Sequence, residues 1–215
     1  MGRNIERDER ERAARKQKIL EAAFPLLAEK GIDAVSMNEI ADACSIGIAT
    51  LYRHYRTKAD LVLAISAWKW DDFMRSNDER QDTSAMTAAE NFDYYLETFL
   101  YLYRNYHDLL RFNHYFNGFI EKEQTTREQK KGFLDVVETI AQRFHKNIYV
   151  KAEIDGTLRT EISEEEMFST SLHLMLSAIT RYSVGLVYQN SSDMEKELLV
   201  LKKMLLREYV REFRE

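Results

Sequence analysis

Apolar residues along this chain recur at spacings of three and four, the period of an amphipathic helix. Ile19, Ala22, Ala23, Leu26 and Leu27 predict a first helix over 13–30, with Gly31 as its stop. A short helix with Ile40, Ala41 and Cys44 on its buried face opens on Ser36-Met37-Asn38-Glu39, the spacing of a capping box. Ser45-Ile46-Gly47 breaks the pattern, and a second short segment runs over 48–55. Thr57 caps the next helix, with Lys58 and Asp60 in its first turn; it continues through Leu61, Ile65, Trp68 and Phe73. After a polar loop over 77–87, Phe92, Tyr95, Leu96, Phe99, Leu102, Tyr103 and Tyr106 mark a long helix over 86–106. Phe112, His114, Tyr115, Phe116 and Phe119 form a compact aromatic group, where Gly118 is expected to break the helix. Phe133, Val136, Val137, Ile140, Phe144 and Ile148 predict a helix over 126–151, and Asp155-Gly156-Thr157 a turn. Ser163 caps a helix carrying Met167 to Leu186, and Ser191 or Ser192 caps a last one carrying Leu198 to Phe213.

Two places depart from this rhythm. In residues 1–12, Arg3, Arg7, Arg10 and Arg12 alternate with Glu6, Asp8, Glu9 and Glu11. With no apolar stripe, they read as a solvated tail or a frayed helix start, or else as an arm for a DNA minor groove. Pro25 removes a backbone hydrogen bond inside the first helix and should kink it. With only 7 Gly and 1 Pro, and no alternating run, the chain is expected to be all-α.

At 215 residues, it buries roughly 70% of its unfolded surface, enough for a substantial core. The single Cys44 excludes an internal disulfide, and the N-terminus is charged rather than apolar, so a cytoplasmic chain without a secretory signal is expected. The most apolar run, 172–179, contains His173 and falls far short of the ~20 residues of a membrane span. A net charge of −5 does not advertise a nucleic-acid binder, so any such partner must be met by a local patch. The five histidines, His54, His107, His114, His145 and His173, show no zinc spacing, and there is no phosphate loop or nucleophile elbow. The expected chemistry is binding rather than turnover, with no metal and no cofactor.

Two short helices joined by a tight turn are the geometry of a helix-turn-helix, and the second ends in Tyr52-Arg53-His54-Tyr55, groups suited to a polar partner. Ile40, Ala41, Ile46, Ala49, Thr50, Leu51, Tyr52, His54, Tyr55, Lys58 and Leu61 follow the pattern I-A-x-x-A-G-V-S-x-G-T-L-Y-x-H-F-x-x-K-x-x-L. The stretch closely resembles the DNA-binding signature of the TetR family. Ile19, Ala22, Ala23, Leu27 and Gly31 fit that family's first helix, so the resemblance covers about residues 15 to 61. The family's usual turn glycine is Ser45 here, and its usual serine is Gly47. Either Ser45 adopts a positive φ at some strain, or the turn shifts and Gly47 takes it.

The resemblance implies about nine helices in all. A three-helix DNA-binding domain, 1–60, would precede a larger helical domain, 61–215, for effector binding and dimerisation. It implies phosphate contacts from Tyr52, His54 and Lys58. Ser36 and Thr57 stand at helix starts, where hydroxyls and amides meet phosphates, and Ile48, Ala49, Thr50 and Arg53 can reach base edges, Arg53 a guanine or else a phosphate. Leu51 and Tyr55 read as core. An effector pocket is implied among the middle helices, with Trp68, Phe92, Tyr95, Phe99, Tyr103, Phe116, Phe133, Met175 and Tyr182 as candidates; aromatics at such spacing also serve as plain core. The last two helices carry apolar residues on more than one stripe and would pair with their copies in a homodimer. The expected protein is a repressor on a palindromic operator, released by an apolar or aromatic ligand. The alternative is a DNA-binding protein of the same type without an effector.

Overall fold

The computed structural model describes residues 2–186 and 191–212. Among them are ten α-helices and one π-helical turn: α1 (Gly2–Lys30), α2 (Met37–Ala43), α3 (Ile48–His54), α4 (Lys58–Asp78), α5 (Ala88–Asn105), α6 (His107–Lys122), α7 (Arg127–Phe144), the π turn (His145–Tyr149), α8 (Val150–Asp155), α9 (Glu164–Ser183) and α10 (Ser191–Tyr209). The expected all-α fold is the observed one. Leu158 and Val210 form an isolated β-bridge. Phe213 lies outside the described residues, as do the side chains of Ser191 and Ser192.

Three local expectations are corrected. The charged stretch before residue 13 is helical: α1 starts at Gly2, with Arg7 and Arg15 both reaching Glu11 one turn away, at 3.0 and 3.9 Å. Such pairs support a helix that has no apolar stripe of its own. Gly118 lies inside α6 and does not end it. The helix predicted over 126–151 widens into the π turn before α8. Pro25 sits exposed within α1, where the carbonyl it leaves unpaired can face water.

The chain packs as two compact units, one of residues 1–69 with 111–133 and the other of 70–110 with 134–215. In the first, Leu27, Ile32, Ile40, Leu51, Leu61 and Ile65 are fully buried, with Phe112 and Phe116 of α6 in the same core. Gly31 ends α1 at φ +87°, where a side chain would meet the Tyr115 ring at 3.4 Å. Arg111 donates to the carbonyl of Glu29 at 3.4 Å, satisfying one of the carbonyls left open at that helix end. The Asp60 carboxylate accepts from the Thr57 amide at 3.0 Å and, through its other oxygen, from Gln129 at 2.9 Å, which ties the start of α7 to the start of α4.

In the second unit, α5 packs against α9, α10 and the π turn. Phe92, Leu96, Leu100, Met167, Met175, Ile179 and Leu198 are fully buried. The start of α5 is capped twice. Thr87 and Glu90 form a capping box, and the Ala88 and Ala89 amides donate to Asp155 at 2.7 Å and to Thr157 at 3.0 Å. Lys202, only 13% exposed in its side chain, reaches Asp93 and Glu97 at 3.1 and 2.9 Å and so pairs α10 to α5.

Candidate nucleic-acid interface

The helix-turn-helix is built by short-range rules. Ser36 caps α2: its Oγ accepts from the Glu39 amide at 3.2 Å, while the Glu39 carboxylate accepts from the Ser36 amide at 2.8 Å. The Ser36 amide and, at 2.9 Å, the Ser36 hydroxyl both donate to that carboxylate and hold the Glu39 carboxyl below its ordinary pKa. At the other end the Ile46 amide bonds the Ala41 carbonyl at 3.0 Å, and the Ser45 amide bonds Asp42 at 2.9 Å. These are the paired hydrogen bonds of a Schellman stop, whose hinge residue is left-handed. That residue is Ser45, at φ +54°, so the choice left open by the sequence falls on the serine. Gly47 is extended, at φ −68°, and serves as the N-cap of α3 without a side-chain bond.

Leu51 is fully buried beneath α3 and Tyr55 is buried at its end; burial pushes the Tyr55 hydroxyl up to about 12. The opposite face carries the candidate reading groups. Ala49, Tyr52 and Arg53 are exposed, Tyr52 by 47%, while Ile48, Thr50 and His54 are half-buried. Ser36 and Thr57 are exposed at the starts of α2 and α4. Thr57 Oγ1 already accepts from the Asp60 amide at 3.0 Å, so it is free to give its hydroxyl hydrogen outward. Lys58 is half-buried, with its ammonium 5.4 Å from the centre of the Phe119 ring. Burial lowers its pKa, while Asp33, Glu123 and Glu39 pull it back up.

His54 stands in an electropositive corner. Its Nδ1 is buried and has no hydrogen-bond partner among the described residues. Burial holds its pKa below the ordinary histidine value, and Arg53, Arg12, Lys16 and Arg15 push in the same direction. Asp8, Glu11, Arg12, Arg15, Arg53 and His54 line a cleft of about 530 Å³ between α1 and the end of α3. From the sequence Arg12 stood only within a tail or minor-groove arm and Arg15 was missed, because both fall at the edge of a stretch without apolar periodicity. Their spacing of three, with Lys16 next, would have placed them on one helix face had the helix been drawn from Gly2.

The nine effector candidates divide between the two units. Trp68, Phe116 and Phe133 belong to the first; Phe116 and Phe133 have ring centres 5.0 Å apart, and Trp68 meets Phe24 edge-on. The other six belong to the second. There Tyr95 lies 5.2 Å from both Phe99 and Phe144, and Phe92 lies 5.7 Å from Tyr209. The Tyr95 hydroxyl is buried beside Ser171 without a well-formed hydrogen bond; burial pushes its pKa up and Ser171 pulls it partly back. Met175 is fully buried, the Tyr103 hydroxyl points to Met194 Sδ at 3.9 Å, and Tyr182 donates to Glu197.

The model of the bacterial regulatory proteins of the tetR family matches residues 19–65. HTH-type transcriptional regulators of Staphylococcus aureus are 48% identical to this chain over 46 residues, which span 21% of it and a quarter of their own length. Over nearly the whole length only the fold is shared. A transcriptional regulator of Saccharomonospora viridis, solved with choline, superposes with a TM-score of 0.71 at 16% identity, covering 93% of this chain and all of that one. The regulator FadR of Bacillus subtilis, solved with stearoyl-CoA, gives 0.65 at 17% identity over 89% and 95% of the two chains. No helix among the described residues is long and apolar enough to cross a membrane. Residues 19–65, the stretch that builds the helix-turn-helix, are what this chain shares with the tetR family of bacterial regulatory proteins.

Proposed function

We propose that this chain is a cytoplasmic transcriptional regulator that binds a palindromic operator as a homodimer, represses, and is released by a small ligand. The observation that carries this reading is the exposed face of α3, where Ala49, Tyr52 and Arg53 stand clear of a helix anchored from behind by buried Leu51. Ile48, Ala49 and Thr50 read base edges in the major groove, and Arg53 binds a guanine or a phosphate; Ser36, Tyr52, His54, Thr57 and Lys58 hold phosphates. Residues 1–60 do the reading. Residues 61–215 bind effector and partner, although 111–133 pack in the same unit as the reading helices. α9 and α10 form the dimer contact, since Leu174, Leu199, Val200 and Met204 leave apolar surface exposed there. The effector site we propose lies around Tyr95, whose buried hydroxyl, weakly held by Ser171, can orient a ligand among Phe92, Phe99 and Tyr103. Met175 and Tyr182 extend that wall, while Trp68, Phe116 and Phe133 stand in the other unit and would act on the reading helices.

The test is a binding titration on duplexes enriched by the chain from a random pool. Enriched sequences should be palindromic, with half-sites about 34–36 Å apart. Lys58→Ala should weaken all duplexes alike and flatten the salt dependence by about one. Failure to enrich any duplex removes the reading. A second reading, a DNA-binding regulator without an effector, is favoured by the close ring packing of Phe92, Tyr95, Phe99 and Phe144. Apolar ligands that neither raise the melting temperature nor release the duplex would select it.

A further inference from the structure

The family match begins at Ile19, yet α1 begins at Gly2. The extra turns of α1 bring Arg12 and Arg15 to the cleft that Arg53 and His54 line from α3. Three guanidiniums there face two carboxylates, Asp8 and Glu11, and Glu11 is drawn along the helix by Arg7 at 3.0 Å and by Arg15 at 3.9 Å. Lys16, next on α1, has its ammonium 5.9 Å from the centre of the Tyr55 ring, beside the same corner. The surplus is positive, and guanidiniums arranged around a concave site match the oxygens of a phosphate. His54, which also lines the cleft, keeps a buried Nδ1 without a hydrogen-bond partner among the described residues.

We propose that the cleft between α1 and α3 is a phosphate site in which Arg12, Arg15 and Arg53 hold one backbone phosphate of duplex DNA beside the groove read by α3. α1 thereby becomes part of the DNA interface. The inference rests on the DNA-binding reading above, but it is separable from it. It also has a signature inside the protein. Arg12, Arg15 and Lys16 of α1 and Arg53 of α3 disfavour a proton on His54, with Asp8 and Glu11 the acidic groups of the same cleft. A bound phosphate dianion or diester offsets that positive field, so the imidazole titrates at higher pH when the cleft is filled.

The experiment uses the full chain and the double variant Arg12→Ala/Arg15→Ala, with Lys146→Ala as a charge control on a residue outside the cleft. Duplex affinity is measured over a salt series, and the His54 ring resonances are followed against pH with enriched duplex or with inorganic phosphate. The expected result is that the double variant weakens enriched and scrambled duplexes alike and flattens log K against log salt by about one phosphate's worth. The wild-type His54 midpoint should rise on adding duplex, the double variant's should not, and the control should behave as wild type. If wild type and double variant bind the duplex with the same slope, the cleft proposal is overturned while DNA binding stands. If no duplex binds but inorganic phosphate raises the His54 midpoint in wild type alone, the DNA reading fails and the cleft remains a site for a free phosphate-bearing molecule. If neither duplex nor phosphate moves His54 and the slope is unchanged, the cleft binds no phosphate.

Discussion

Ser45 carries the one backbone conformation in the helix-turn-helix that its residue type disfavours. Its left-handed φ costs a side-chain-bearing residue about 1–2 kcal/mol relative to the right-handed helix region, and the two hydrogen bonds of the stop hold it there. Ser45→Gly should relieve that cost, less the extra freedom glycine gains in the unfolded chain. A net gain of about 1 kcal/mol would raise the melting temperature by about 2–4 °C. Thermal unfolding followed by circular dichroism checks this, and an unchanged or lowered midpoint refutes the strain. The sequence exposed the problem but not its solution. A serine and a glycine two residues apart could each have taken the turn, and the decision is made by which amides reach back to Ala41 and Asp42. By contrast, the caps at Ser36 and Thr57 were legible because each is satisfied within three residues.

At the scale of the helix, local signals located most starts, and contacts distant in sequence supplied what they missed. The start of α5 is the clearest instance. Its capping box could be read from Thr87 and Glu90, but the bonds from Ala88 to Asp155 and from Ala89 to Thr157 join segments far apart in the chain. Asp155→Ala should therefore destabilise the chain at neutral pH by about 1 kcal/mol, the typical worth of a cap. Burial raises the Asp155 pKa, but the Ala88 and Thr157 amides outweigh it, and the carboxyl ends below its ordinary value of 3.8. A depressed folded pKa gives stability that is present above 3.8 and lost as the pH falls through the lower folded value. Urea unfolding should show the gap between wild type and variant at pH 7 and see it close in acid. A gap that persists there would mean that the charge is not what caps the helix. α1 shows the opposite failure of pattern reading. Its first turns have no apolar stripe, so periodicity gave no helix where i,i+4 charge pairs and continuity with a buried helix maintain one.

For the whole molecule, the aromatic group of α6 was visible in the sequence, but its destination was not. Phe112, Phe116 and Phe119 enter the core that also holds the reading helices. A spacing of three or four says that a face is buried and is silent about which neighbour buries it. The same limit applies to α9 and α10, whose second apolar stripe remains exposed in the single chain at Leu174, Leu199, Val200 and Met204. If that stripe is the dimer contact, replacing Val200 and Met204 by glutamate puts like charges across a two-fold axis and should yield monomers of 25.4 kDa in sedimentation. The helical circular dichroism should be retained. A double variant that still sediments as a dimer would move the interface elsewhere.

The π turn between α7 and α8 has a genetic consequence. A wide turn accommodates one residue more than an α-helical turn would, within an otherwise continuous helix. Losing a single codon within 145–149 need not break the helix: the turn can tighten to α-helical geometry and absorb the missing residue, so that everything downstream keeps its facing. Asp155 would then stay on the Ala88 amide it caps. In-frame loss of one residue is thus a milder lesion here than in α9, where it would rotate everything beyond it by about 100°, one residue's step.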